Sequence, residues 1–114
     1  MMEIFKKYTF DSAHFLTKVA KGHPCRNLHG HTYTVTIYVE GSVGEDGFVM
    51  DFLELDKHIK PIISVLDHTC LNTILDNPTS ENLTFYFLEK LQNLPISKIV
   101  LQETPKTGAI WSKK

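Results

Sequence analysis

The sequence predicts an α+β fold: an antiparallel sheet with two helices packed on one face. Three observations carry this. Residues 31–40, HTYTVTIYVE, alternate between an apolar and a threonine-rich face and are rich in β-branched side chains, the period-two signature of a strand. Residues 51–66 and 77–94 instead carry apolar side chains at helical spacing. The elements run β-β-α-α-β-β without a repeat, low-complexity tract or linker, so the 114 residues are expected to form a single domain spanning 1–114.

Each element has its own justification. Residues 3–15 are rich in aromatics, with Ile4, Tyr8, Phe10 and His14 in one parity class, which predicts the first strand. Residues 18–30 carry Gly, Pro and Asn and predict a loop. In the second strand His31, Tyr33, Val35, Ile37 and Val39 share one face, while Thr32, Thr34, Thr36 and Tyr38 share the other. The threonine face suits either plain solvent or a wet channel enclosed by sheets of several subunits, and alternation alone leaves both open. GSVGEDG then makes a turn. The first helix begins at Asp51 as N-cap, with Glu54 completing a capping-box pattern and Leu55, Ile59, Ile62 and Leu66 forming its apolar stripe. Pro61 falls inside it and is expected to kink or shorten it. The second helix follows Pro78, with Thr79 or Ser80 as cap and Leu83, Phe87, Leu91 and Leu94 along one side. Residues 97–104 and 108–112 complete the sheet as short strands around PKTG.

Composition narrows the function classes. Twelve basic residues against 13 acidic ones, with Arg26 the sole arginine, argue against a nucleic-acid surface. No apolar run approaches the roughly 20 residues of a membrane helix. The N-terminus MMEIFKKYTF lacks the apolar stretch of a secretory signal, so a cytoplasmic location is expected. In that compartment Cys25 and Cys70 are expected as free thiols. The NLT tripeptide at 82–84 then carries no glycosylation meaning.

The chemistry concentrates in PCRNLHGHTY, residues 24–33. In an extended chain His29 and His31 project to the same side. His14 ends the first strand, and the following loop is long enough to return the chain beside it. Three neutral imidazoles with one open position describe a catalytic zinc site, although an isolated H-x-H on a strand is more often incidental. Cys25 lies on the same loop. A thiol beside a cation is more readily a thiolate, so Cys25 is a candidate ligand, base or nucleophile. Asp67 and His68 are adjacent at a helix end, where the carboxylate orients the imidazole proton, or where His simply suits a helix C-terminus. Glu103 follows Ile99 and Leu101, so an inward carboxylate there needs a partner. Cys70 fits an inert thiol, and His23 and His58 look incidental.

Six fragments, FDSAHFL, CRNLHGHTY, GFVMDFLEL, LDHTCLN, NPTSENL and ETPKTG, occur in the order and spacing of the 6-pyruvoyltetrahydropterin synthase family, which the chain resembles from about residue 4 to residue 112. The interval between the cysteine and HGH is similar to that of the bacterial 6-carboxytetrahydropterin synthases of queuosine and deazapurine biosynthesis. The resemblance implies the tunnelling fold, in which subunits join their sheets into a barrel with helices outside, as a homohexamer of two stacked trimers. By that resemblance His14, His29 and His31 hold zinc, one per subunit. Cys25 is implied as catalytic base, and Asp67 with His68 as an acid/base pair acting with it across a subunit interface. Glu103 is implied to anchor a pterin ring, supported by Thr79 and Ser80. The implied reaction converts 7,8-dihydroneopterin triphosphate to 6-carboxy-5,6,7,8-tetrahydropterin, acetaldehyde and triphosphate. Lys18, Lys21 and Arg26 are candidates for the triphosphate. Two other outcomes fit the same motifs: a 6-pyruvoyl-type synthase that keeps the carbon chain, and a non-catalytic zinc-bearing barrel module. The joint presence of Cys25, Asp67, His68 and Glu103 speaks against the last.

Overall fold

A computed structural model describes residues 1–114. Strands β1 (Met2–His14) and β2 (His29–Gly41) form an antiparallel pair in unbroken register, from Met2 opposite Gly41 to His14 opposite His29. Alternation fixes that register, because a slip of one residue would turn every apolar side chain outward. On the inward face Tyr8, Phe10, Tyr33, Val35, Ile37 and Val39 are buried. Strand β4 (Ile96–Thr104) adds to β2, and β5 (Thr107–Ser112) adds to β4, both antiparallel.

Helix α1 (Phe52–Leu66) packs over β1, and helix α2 (Ser80–Lys90) packs over β4 and β5. Asp51 caps α1 by accepting from the Leu53 N–H, and Thr79 caps α2 by accepting from the Asn82 N–H. The capping-box partner does not reach back: Glu54 turns to Lys57 and His58 at 3.3 and 3.6 Å. Leu55, Ile59 and Leu66 of α1, with Leu83 and Phe87 of α2, are wholly buried against the sheet. Each such side chain contributes about 1.5–3 kcal/mol relative to exposure. Lys6 falls on the inward face of β1 and is partnered there: its Nζ lies 2.8 Å from Asp56 on α1, and Tyr8 donates to the same carboxylate at 2.7 Å. These two partners hold the Asp56 carboxyl below the usual carboxylate range.

Three expectations need correction. Pro61 does not shorten α1, which continues to Leu66. Pro61 is exposed on the outer side of the helix, so losing its N–H leaves no donor missing from the core. The second helix is shorter than the apolar pattern, because Leu91 and Leu94 stay packed on the core through a turn after Lys90. The sheet also has a fifth strand the sequence reading lacks. β3 (Thr69–Cys70) runs parallel to β1 beside Ser12 and Ala13, giving the order β3-β1-β2-β4-β5.

Within one chain the sheet is open. β5 has a free edge, and β3 covers only the far end of β1, leaving most of that strand's edge unpaired as well. Unpaired edges of this length are templates for pairing with another chain. The threonine face is not uniformly wet: Thr36 is buried, and Phe5 packs against Tyr38 at 5.3 Å with Lys98 Nζ over the tyrosine ring. Neither helix is long and apolar enough to cross a membrane.

Candidate metal centre and acid-base site

The β1–β2 register places the three imidazoles. His14 and His29 are direct cross-strand partners, and His31 lies two residues along the same face of β2. Their donor nitrogens all lie within 4.8 Å of one another, with His14 Nε2 and His29 Nε2 3.0 Å apart. The outward nitrogens are fixed by other groups. Tyr33 Oη is 2.7 Å from His14 Nδ1, and His29 Nδ1 donates to the Asn27 carbonyl at 2.7 Å. That donation leaves the His29 Nε2 lone pair pointing at the cluster. His31 Nε2 is buried with no hydrogen-bond partner. A buried nitrogen without a partner beside two convergent imidazoles is what a metal-ligand set requires, and oriented outer nitrogens are its usual support. Burial first, and then the neighbouring His29 and His31, push His14 down to about 4, which keeps it in the neutral form that binds a metal. The donor set therefore fits zinc.

Glu103 reaches the same cluster through a bulge. Gln102 pairs with Gly108 and Thr104 with Thr107, so Glu103 is the extra residue between them. Bulges re-aim side chains next to sites. Here Oε1 comes within 3.4 Å of His14 Nε2 and 3.7 Å of His31 Nε2. The bulge depends on glycine: a Cβ on Gly108 would lie 2.3 Å from the Leu101 carbonyl oxygen.

The second cluster sits at the junction of α1 and β3. Asp67 Oδ1 accepts from the Asp11 N–H at 2.8 Å, and Oδ2 pairs with His68 Nδ1 at 2.9 Å. His68 has φ 55, a left-handed backbone that is uncommon outside glycine. Its N–H is pinned to the Asp11 carbonyl at 2.6 Å. The Asp11 N–H, and then His68, hold Asp67 below the usual carboxylate range, while Asp67 raises His68 above the usual imidazole value. Asp67 thus orients the well-exposed His68 imidazole and favours its protonated form. An open depression of about 590 Å³ runs from His31 past Gly30 and Thr32 to His68 and Cys70. His31 and His68 both border this depression, while strand alternation turns the His31 imidazole toward His14 and His29, away from the face of Gly30 and Thr32.

Cys25 lies half-buried in a short 3-10 turn, Pro24–Arg26, and its sulfur joins neither group of convergent donors. Its carbonyl accepts from the Leu16 N–H at 2.7 Å, which ties the loop to the end of β1. Thr79 spends its oxygen lone pair capping α2 but keeps its own hydrogen to donate. Ser80 is half-buried on the first turn of α2. Arg26 donates to the Val19 carbonyl within its own loop.

Sequence reading missed two contributors. Tyr33 reads as core, yet its hydroxyl is the buried partner of His14; the available signal was that a buried tyrosine two residues from a ligand must satisfy its hydroxyl. Asp11 acts through its backbone N–H and carbonyl, and its carboxylate stands with Asp67 and His68 in the second group of convergent donors.

The family model described as 6-pyruvoyl tetrahydropterin synthase matches residues 3–114. The dihydroneopterin monophosphate aldolase of Pyrococcus furiosus is 41% identical over 93 residues, which cover 81% of this chain and 77% of that protein. The 6-carboxy-5,6,7,8-tetrahydropterin synthase of Synechocystis sp. is 37% identical over 100 residues, covering 81% and 76%. Among solved structures, 6-pyruvoyl tetrahydropterin synthase of Caenorhabditis elegans aligns at a TM-score of 0.88 and 25% identity, over 99% of this chain and 96% of that one. With a family match across nearly its whole length and the shared fold, the chain belongs to the 6-pyruvoyltetrahydropterin synthase family.

Proposed function

We propose that the protein converts 7,8-dihydroneopterin triphosphate and water to 6-carboxy-5,6,7,8-tetrahydropterin, acetaldehyde and triphosphate. The observation that carries this is the convergence of His14, His29 and His31 with the buried, unpartnered His31 nitrogen. Zinc bound there supplies Lewis acidity toward the side-chain oxygens of the substrate. Cys25, as thiolate, takes the proton from the side-chain carbon that bears a hydroxyl. His68, held by Asp67, donates to oxygen or carbon as the side chain fragments. Glu103 accepts from pterin N–H groups and fixes the ring, with the Thr79 and Ser80 hydroxyls in support. The free edges of β1 and β5 support assembly of several chains into a closed barrel, as a hexamer with Cys25 of one chain meeting the acid-base pair of another.

The test is Cys25→Ala. General acid-base groups each contribute about 10²- to 10⁴-fold, so turnover falls by that order while zinc stays bound. Zinc lost in that variant would make Cys25 a ligand and overturn its role. Product analysis tests the reaction itself: turnover without acetaldehyde would instead support retention of the carbon chain.

The 41% identity to an aldolase favours one second reading, side-chain cleavage of dihydroneopterin monophosphate. Turnover of the monophosphate with none of the triphosphate would establish it in place of the first.

A further inference from the structure

We infer that Asn72 is a positioning residue for Cys25: its side-chain amide clamps the backbone just beyond His14 and so sets where the thiol-bearing loop leaves the sheet. This rests on the role proposed for Cys25. Asn72 lies in the 3-10 turn Leu71–Thr73 that follows β3, and buried Leu71 anchors that turn in the core. Its Oδ1 accepts from the Phe15 N–H at 2.9 Å, and its Nδ2 donates to the Phe15 carbonyl at 2.9 Å. The backbone dictates this orientation, since an N–H must meet the oxygen and a carbonyl the nitrogen. Cys70 Sγ lies 3.7 Å from the same Oδ1 and makes only a weak third contact.

The two bonds copy a rung of sheet. β3 pairs with β1 at Ser12 and Ala13 and then stops, and the amide supplies the pairing for Phe15, the first residue after His14. The next residue carries the tether, because the Leu16 N–H donates to the Cys25 carbonyl. The path is therefore Asn72 to Phe15, to Leu16, to Cys25, through three backbone-directed contacts. The metal ligands do not depend on it. His14 and His29 are held by ladder pairing with each other, and His14 also by Tyr33. Other contacts of the loop, such as Asn27 N–H to the Pro24 carbonyl and Arg26 to the Val19 carbonyl, are internal and move with it.

The experiment compares wild type with Asn72→Ala and Asn72→Asp by metal content, thermal melting, the rate at which iodoacetamide alkylates Cys25 (located by peptide mass spectrometry), and kcat and KM. In N72A the metal content is expected to be unchanged and Cys25 alkylation to rise at least about threefold as the half-buried thiol is released. A misplacement of about 1 Å costs on the order of 100-fold in rate, so kcat falls about 10- to 100-fold with KM little changed. N72D keeps the acceptor for the Phe15 N–H and loses the donor to its carbonyl, so it is impaired in the same two readings. It carries the test if N72A does not fold. Metal loss in a folded variant, a raised KM with unchanged kcat, or wild-type alkylation in either variant overturns the inference. Alkylation and metal content need no substrate, so they report on the clamp even if the proposed reaction is wrong.

Discussion

Replacing Tyr33 with phenylalanine isolates one hydrogen bond at the metal centre. The Tyr33 hydroxyl lies 2.7 Å from His14 Nδ1, and both side chains are fully buried, so water cannot substitute. To offer Nε2 to a metal, His14 must carry its proton on Nδ1, which then donates to the tyrosine oxygen. Tyr33→Phe takes away that buried N–H's hydroxyl partner, at a cost of about 1–3 kcal/mol. The ring itself stays, stacked on Phe10 at 4.9 Å and 8°, so core volume is conserved. Loss of an outer-sphere partner typically weakens metal binding about 10- to 100-fold, or about 1.4–2.7 kcal/mol. Competition with a chromophoric zinc chelator reads this directly, and circular dichroism checks the fold. Zinc affinity within about threefold of wild type would refute the reasoning, because the remaining contacts would then orient His14 unaided.

Other outcomes follow from the same contacts. His14 is pushed down to about 4, chiefly by burial, so as pH falls the unfolded chain binds its proton before the folded one does. Metal-free protein should therefore lose on the order of 3 kcal/mol between about pH 6.5 and pH 4, with no such loss above; urea midpoints across that range check it, and a His14→Gln chain should lack this component. Gly108→Ala forces the β4–β5 pair apart at the Leu101 carbonyl, costing about 1–3 kcal/mol by urea unfolding and moving Glu103 off the imidazoles. Pro61→Ala restores an N–H inside α1 at an exposed position, so stability should rise by about 1–3 kcal/mol, again by urea midpoint.

The legible parts of the fold were those written in periodicity. Strand β2 announces itself because Tyr33, Val35, Ile37 and Val39 must all face one core, and α1 because Leu55, Ile59 and Leu66 do the same at a different period. β3 was not legible: two residues hold no period, and Thr69 and Cys70 become strand only because the end of β1 offers a free edge. Pro61 misled because a sequence shows that a donor is missing but not which side of the helix lacks it. At the site, HGH and its distance from His14 were readable, since strand geometry alone aligns His29 and His31. The contacts made by backbone were not. Asp11 holds both Asp67 and the His68 turn through main-chain atoms, and its carboxylate beside them reads from sequence as an ordinary strand charge.

The position of the site follows from where regular pairing gives out. The β1–β2 ladder ends at His14 and His29, β3 lasts two residues, and the β4–β5 ladder is broken at Glu103. Farther down the sheet, the inward face is filled by apolar side chains under α1 and α2, and a polar group there must find a partner, as Lys6 does in Asp56. At the upper end imidazoles can face inward, and the only buried side-chain nitrogen left without a partner is that of His31. Leaving such an atom unpaired costs about 1–3 kcal/mol in a core that packing could have filled with another valine or leucine. A bound cation that uses the nitrogen lone pair offsets that cost, so the unmet need of His31 is the strongest physical reason to place the metal among these three histidines.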